Sequence, residues 1–332
     1  MNILSATPEN AVETASETNL SQEKLFSQGE AIVCVQDLSR RFGNKQALQG
    51  VSLEVKKGQV FGIVGENGAG KTTLIKHLLG LFKPQQGSVR LFGKDPVLDP
   101  PGVLSEIGYL SEESDLPAWM TIDELLKFSA SFYPKWDQGY ADQLVETFEL
   151  ERRKKVKELS KGQRARIGLV LAQAHRPELL LLDEPSSGLD PIVRKDILSA
   201  IIKSVSEEGR AVILSSHLLE EVERVCDVLV MMHKGAIILS GALEDILCEH
   251  HVFTVKTSYP LADPLESTLQ LPNLHKVSNI GPEVNLECSG NLIEITARLK
   301  QHVQILQHRY MTLDEIFTSR SVDPDFQAGV LA

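Results

Sequence analysis

Along the 332-residue chain the period of the apolar positions changes repeatedly, and each change marks a predicted element. Residues 1–30 are polar, rich in Ser, Thr, Glu and Asn, and aperiodic, which predicts a mobile extension. Ala31–Val35 is a short strand, and Val51, Leu53 and Val55 alternate as a half-buried strand does. Val60–Val64 is an apolar, β-prone run, and Thr73–Leu79 then takes helical spacing and stops at Gly80. Val89–Gly93 and Ile107–Leu110 are further strands, separated by a connection carrying Pro96, Pro100 and Pro101. Thr121-x-x-Glu124 is a capping box that starts a helix, and residues 113–175 read as a helical insertion between strands. Leu179–Leu182 is apolar on both faces and belongs inside a parallel sheet, and Ala211–Leu214 repeats the device. Val228–Met232 and Ala236–Gly241 form a hairpin around His233-Lys234-Gly235. Past residue 249, strand-like stretches at Val252–Val255, Val284–Cys288 and Leu292–Ile295 predict a small α+β unit, with a capped helix over Thr312–Phe317.

Composition changes this picture little. The net charge of −11 argues against broad nucleic-acid binding. Cys34, Cys226, Cys248 and Cys288 are scattered without C-x-x-C spacing, so reduced thiols are expected and zinc is not. No apolar stretch is as long as a membrane span, and no basic segment precedes an apolar core at the N-terminus, so no secretory signal is expected. Work at a membrane would then need a partner. Trp119, Phe128, Phe132, Tyr133, Trp136 and Tyr140 crowd into the helical insertion, either as its core or as a docking surface. Arg152–Lys155 is a charge run expected in solvent.

The chemistry begins between the Val60–Val64 strand and the following helix. Gly65-Glu66-Asn67-Gly68-Ala69-Gly70-Lys71-Thr72-Thr73 matches G-x-x-x-x-G-K-[ST]. Its glycines let backbone N–H groups turn inward, and the helix N-terminus adds partial positive charge for a phosphate. Gly65, Asn67, Gly68, Ala69, Gly70, Lys71, Thr72 and Thr73 are therefore candidate nucleotide contacts, with Lys71 at the β- and γ-phosphates and Thr72 on Mg²⁺. Asp183, at the end of the leucine run, suits a metal position, and Glu184 is within reach of a water near the γ-phosphate. His217 ends the Ala211–Ser216 strand beside the same edge. Ser160-x-x-Gln163 opens a helix as a capping box, but capping leaves Gly162 in its first turn unexplained unless something approaches the backbone there.

Taken together, residues 31–247 resemble an ATP-binding cassette (ABC) ATPase. The phosphate loop, Leu159-Ser160-Lys161-Gly162-Gln163, the Leu179–Glu184 strand, the Ser187–Asp190 loop and His217 occur in that family's order and spacing. Phe132–Asp137, Leu159–Gly162 and Leu313–Phe317 are similar to the bacterial ABC-2-type, drug- and bacitracin-exporter-like branch. The sequence departs from the family twice: Lys161 replaces a signature glycine, and Glu112 stands where the family has a glutamine.

The resemblance implies an α/β fold with a P-loop NTPase core, an antiparallel β subdomain, the helical insertion and a C-terminal α+β appendix. It divides the chain into an extension (1–30), a nucleotide-binding domain (31–247), an accessory domain (250–320) and a tail (321–332). Phe42 would stack on adenine, and Glu112 would join Thr72 and Asp183 at Mg²⁺. Ser160, Gly162 and Gln163 would clamp the γ-phosphate of ATP on a second cassette, with Asp190 at the same interface. Glu184 would polarise the attacking water, and His217 and Lys71 would contact the γ-phosphate. The implied partners are separately encoded membrane permease subunits and a second ATPase subunit, identical or different, on the inner face of the cell membrane; nucleic acid is not expected. The alternatives are a soluble ABC ATPase acting on nucleic acid or the ribosome, or a regulatory ATP-binding subunit. The first usually carries coiled coils, zinc cysteines or paired cassettes, and the second has usually lost a catalytic residue.

Overall fold

The computed structural model describes residues 31–112, 116–256, 271, 273–280 and 283–322. The extension read over 1–30, the start of the helical insertion at 113–115 and the tail from 323 lie outside the described residues.

In chain order, β1 (Ala31–Phe42), β2 (Lys45–Lys56) and β3 (Val60–Val64) lead into α1 (Lys71–Leu78). Then come β4 (Gln86–Leu91), α2 (Pro100–Leu104) and β5 (Ile107–Leu110). The helices α3 (Ile122–Ala130), α4 (Gln138–Thr147) and α5 (Lys161–Gln173) precede β6 (Leu179–Asp183). After α6 (Pro191–Ser206) follow β7 (Ala211–Ser216), α7 (Leu219–Val225), β8 (Val228–His233) and β9 (Ala236–Ala242). The C-terminal part is α8 (Leu243–Glu249), β10 (His250–Lys256), β11 (Leu274–Ile280), β12 (Glu283–Ser289), α9 (Leu292–Leu299), β13 (Gln304–Tyr310) and α10 (Leu313–Val322).

Among the described residues three sheets result. The central one has the order β5-β6-β7-β3-β8-β9 and is parallel except for the β8–β9 hairpin. β2-β1-β4 and β11-β12-β10-β13 are antiparallel. The uninterrupted leucines of β6 follow from its place in the central sheet. Leu180 and Leu182 enter the core beneath the helical insertion, while Leu179 and Leu181 enter the core under α1 and the β2-β1-β4 sheet. All four are fully buried, each stabilising the fold by about 1.5–3 kcal/mol, so neither face tolerates a polar residue. A third, smaller core lies within the C-terminal sheet around Phe253, Leu286 and Leu299.

Three local readings change. Leu292–Ile295 belongs to a helix, not a strand. The Asn291 carboxamide accepts from Ile293 and Glu294 N–H and starts α9, and Ile295 and Leu299 bury one face while Ile293 faces solvent. Arg152, in the charge run, is not merely solvated: it bonds Asp123 at 3.2 Å and Asp142 at 2.7 Å, joining α3 to α4. The aromatics of the insertion divide. Tyr140 is buried with its hydroxyl bonded to Gln173 and Tyr133 stacks on His175, whereas Trp119, Phe128 and Phe132 are exposed. At the chain's other end Met311, Leu313 and Ile316 pack into the core of the central sheet, against α7.

Candidate active site

β3 runs fully buried into the Gly65–Thr73 loop, and α1 starts at Lys71. Gly70 caps that helix at φ +112°, and a Cβ there would meet the Ala47 carbonyl oxygen at 2.7 Å, so only glycine closes the loop against β2. Lys71 is 5% exposed. Its ammonium donates to the Gly65 carbonyl at 2.6 Å and pairs with Glu184 Oε1 at 3.1 Å.

Two strands to the side, β6 delivers Asp183 and Glu184 to the same edge. Asp183 accepts from Ser215 Oγ at 2.6 Å, and the Thr72 hydroxyl lies near its carboxyl. Burial pushes its carboxyl above the usual range, with the two hydroxyls opposing. Glu184 follows in left-handed backbone, φ +50°, with its N–H on the Ser215 carbonyl at 3.1 Å. That turn swings its carboxylate between Lys71 and His217. Glu184 Oε2 accepts from His217 Nδ1 at 2.6 Å and from the His217 N–H at 3.3 Å. A non-glycine residue held at positive φ is strained backbone, and it occurs here at the acid most exposed to chemistry.

Beside this cluster lies a cleft of about 540 Å³ lined by Thr72, Lys76, Tyr109, Glu112 and Asp183. The Tyr109 hydroxyl is pushed up to about 12, by burial and then by the Asp183 carboxylate. Glu112 Oε1 accepts from Ser187 Oγ at 3.1 Å.

The Ser160–Gln163 end is built separately. Ser160 Oγ accepts from Gln163 N–H at 3.2 Å, and Gln163 Oε1 accepts from Ser160 N–H at 3.1 Å, the full capping box. Asp190 in turn caps α6, its Oδ1 accepting from Ile192 and Val193 N–H. A Cβ on Gly162 would stand 2.8 Å from Val193 Cγ2, so the glycine clears room for α6. Among the described residues no hydrogen bond or ion pair joins Ser160, Gly162 or Gln163 to the phosphate loop.

Residues 48–187 match the ABC transporter family model. The uncharacterised ABC transporter ATP-binding protein YdbJ of Bacillus subtilis is 38% identical over 210 residues, 63% of this chain and 68% of the relative. The bacitracin transport ATP-binding protein BcrA of Enterococcus faecalis is 35% identical over 281 residues, covering 80% of this chain and 91% of the relative. Among solved structures, an ATP-binding subunit of an ABC transporter superposes with a TM-score of 0.60 at 30% identity, over 65% of this chain and 91% of the other. The chain belongs to the ABC transporter ATP-binding proteins. It is the ATP-binding, ATP-hydrolysing subunit of such a transporter, built on the α/β cassette fold.

In this ABC ATPase, Lys71, Thr72, Asp183, Glu184 and His217 come together at one edge of the central sheet, with Glu112 at the rim. Lys161 adopts ordinary helical backbone and its ammonium lies over Gly188, so the replaced signature glycine needed no positive φ. Phe42 is 41% exposed, edge-on to Phe82 at 5.5 Å, with the Arg40 guanidinium over both rings. Asn67, Gly68, Ala69 and Thr73 lie on the loop and its helix, and Lys45 comes within 3.8 Å of a Cβ built on Gly68. Sequence reasoning missed Lys45, Arg40 and Phe82, and it missed Ser215, which bonds both Asp183 and the Glu184 N–H. The only signal for Ser215 was a hydroxyl one position before the end of a buried strand. Among the described residues no helix is long and apolar enough to cross a membrane.

Proposed function

We propose that this subunit powers a separately encoded membrane permease of the ABC-2 exporter type, as one of two cassettes that close head to tail around ATP. The observation that carries the mechanism is the Glu184 carboxylate held between Lys71 and His217. ATP enters with its phosphates on the Gly65–Thr73 backbone, and Lys71 turns from Glu184 Oε1 and the Gly65 carbonyl to the β- and γ-phosphates. The freed Oε1 faces a water, while Oε2 stays on His217. The water oxygen attacks the γ-phosphorus, its proton passes to Glu184, and the bond from the γ-phosphorus to the β–γ bridging oxygen breaks to release ADP and phosphate. His217 holds the γ-phosphate through its other ring nitrogen.

Thr72, Asp183 and Glu112 offer only hydroxyl and carboxylate oxygens, the donor set a hard divalent cation takes. The buried Asp183 carboxyl, pushed up in this structure, is where such a charge has most effect. Mg²⁺ would be held there and would neutralise charge on the phosphates. Phe42 stacks on the adenine, and Ser160, Gly162 and Gln163 of the second cassette, with its Asp190 loop, close over the γ-phosphate. The bacitracin transport name of a relative covering 80% of this chain supports the exporter assignment. The permease sits on the cassette's helical insertion, which places the subunit at the inner face of the membrane. The division into a cassette over 31–247 and an accessory domain over 250–320 belongs to the same proposal.

The test is Glu184→Gln. It keeps ATP affinity while turnover falls at least 100-fold, because an amide cannot take the proton. Near-normal turnover in the purified variant contradicts the role given to Glu184.

A further inference from the structure

Glu184 and His217 sit on different segments, and one buried side chain outside the nucleotide site grips both. Glu221, on α7, is 3% exposed. Its Oε2 accepts a short hydrogen bond from Ser186 Oγ and a longer one from Ser216 Oγ, 3.5 Å. Its Oε1 pairs with Arg194 Nε on α6 at 2.9 Å. Ser186 lies two residues after Glu184, and Ser216 immediately precedes His217; both serines are buried. The Ser216 hydroxyl also accepts from Leu218 N–H at 3.0 Å, so the turn out of β7 is tied at the same point.

Fold stability does not require this arrangement. Taking the Glu221 carboxylate out of water costs several kcal/mol, and apolar residues often fill such a space without loss of stability. Two hydroxyls bonded to one oxygen of a buried carboxylate, with a guanidinium paired to the other, fix relative position instead. The positions fixed are those of the segment leaving Glu184 and the segment entering His217. The Glu184–His217 contact of 2.6 Å therefore has a second tie beside it, through Glu221.

We propose that Glu221 is a positioning residue for hydrolysis, which sets the spacing of the Glu184 carboxylate and the His217 ring through Ser186 and Ser216. The proposal rests on the roles given above to Glu184 and His217. Glu221 touches neither ATP nor the attacking water, so its loss acts on turnover and not on nucleotide binding.

The experiment compares Glu221→Gln and the double variant Ser186→Ala/Ser216→Ala with the full-length wild type, each also in a Glu184→Gln background. Steady-state ATPase and fluorescent-nucleotide titration are read. The serine variant removes both ties without leaving a charge unpaired, and it decides the matter if Glu221→Gln fails to fold. Turnover falls about ten- to a hundredfold in both, with KM and nucleotide Kd within twofold of wild type. On the Glu184→Gln background neither change lowers the residual rate further, because the group being positioned is already gone. Wild-type kcat in the serine variant overturns the proposal. So does a parallel fall in nucleotide affinity, or the same fold-loss in both backgrounds, each the mark of a general structural role. A fully active Glu184→Gln control would instead overturn the reading of Glu184 itself, which keeps the two failures apart.

Discussion

The phosphate-loop end and the signature end of this ATPase are assembled in opposite ways. At the first, side chains from α1, β6 and the end of β7 are bonded to one another across long sequence separations: Lys71 to Glu184, Glu184 to His217, Ser215 to Asp183. At the second, among the described residues Ser160 and Gln163 bond only their own helix turn, and Gly162 and Asp190 serve the packing and capping of α6. One end is wired for chemistry before ATP arrives. The other is a capped helix terminus, to which the proposed function gives the γ-phosphate of the second cassette's ATP. Half a site in each place is what a head-to-tail pair of cassettes needs.

The largest expected effects set the ends against each other directly. Lys71→Ala removes a charged contact to the phosphates and weakens nucleotide binding to a single chain by about ten- to a hundredfold. Ser160→Arg leaves that binding within twofold but lowers turnover by about two orders of magnitude, since bulk and charge block the helix terminus. Nucleotide titration at chain concentrations that keep the protein monomeric separates the two. Equal loss of binding in both variants breaks the comparison.

A smaller effect sharpens the reading of Gly162. Gly162→Ala in the wild type lowers stability by about 1 kcal/mol, because the new methyl meets Val193. In a Val193→Ala background the same change has room and stabilises by up to about 1 kcal/mol, through helix propensity. Urea denaturation of the four proteins gives the sign in each background; the same sign in both removes Val193 as the reason for the glycine.

A pH-dependent effect lies away from both ends, in the C-terminal sheet, where histidines serve packing. His250 is buried, with Nδ1 on the Ile246 carbonyl at 2.7 Å and Arg320 Nη2 at 3.1 Å from Nε2. His275 stacks on it at 6.0 Å, and His251 is the next residue on β10. Burial, with the charge of Arg320 adding to it, lowers its pKa to about 4, from an ordinary value near 6.5. The unfolded chain therefore takes up a proton between pH 6.5 and 4 that the fold does not. The stability held by neutral His250 is complete above pH 6.5 and is lost as pH falls through that window. Between pH 7 and pH 5 the loss is about 2 kcal/mol. His250→Gln flattens that part of the curve, measured as the difference in urea midpoint from wild type, and an unchanged slope removes His250 as its source.

Much of this was readable in the chain. The phosphate loop, the Asp183–Glu184 pair and His217 announce themselves because nothing in folding demands those residues at strand ends. The runs of β3, β6 and β7 were legible because a central parallel strand must be apolar on both faces. Less legible was the C-terminal sheet. In β13 the apolar Ile305 packs on the small core while the apolar Leu306 beside it is exposed, too weak an alternation to read, and Leu292–Ile295 has strand composition but is launched as a helix by Asn291. Ser186, Ser215 and Glu221 were illegible for another reason: the Ser186–Glu221 and Ser215–Asp183 bonds span more than thirty residues. Gly162 was noticed but not explained until Val193 appeared beside it.

The most direct measurement of the central claim, that two chains complete each ATP site, uses differently tagged chains purified as heterodimers in a Glu184→Gln background. One preparation pairs a Lys71→Ala chain with a Ser160→Arg chain; the other pairs an unaltered partner with a chain carrying both changes. If each signature serves the other chain's phosphate loop, the paired single variants keep one whole site and retain more ATP than the second preparation, in which both sites are damaged. The reverse order of retention would contradict the composite site.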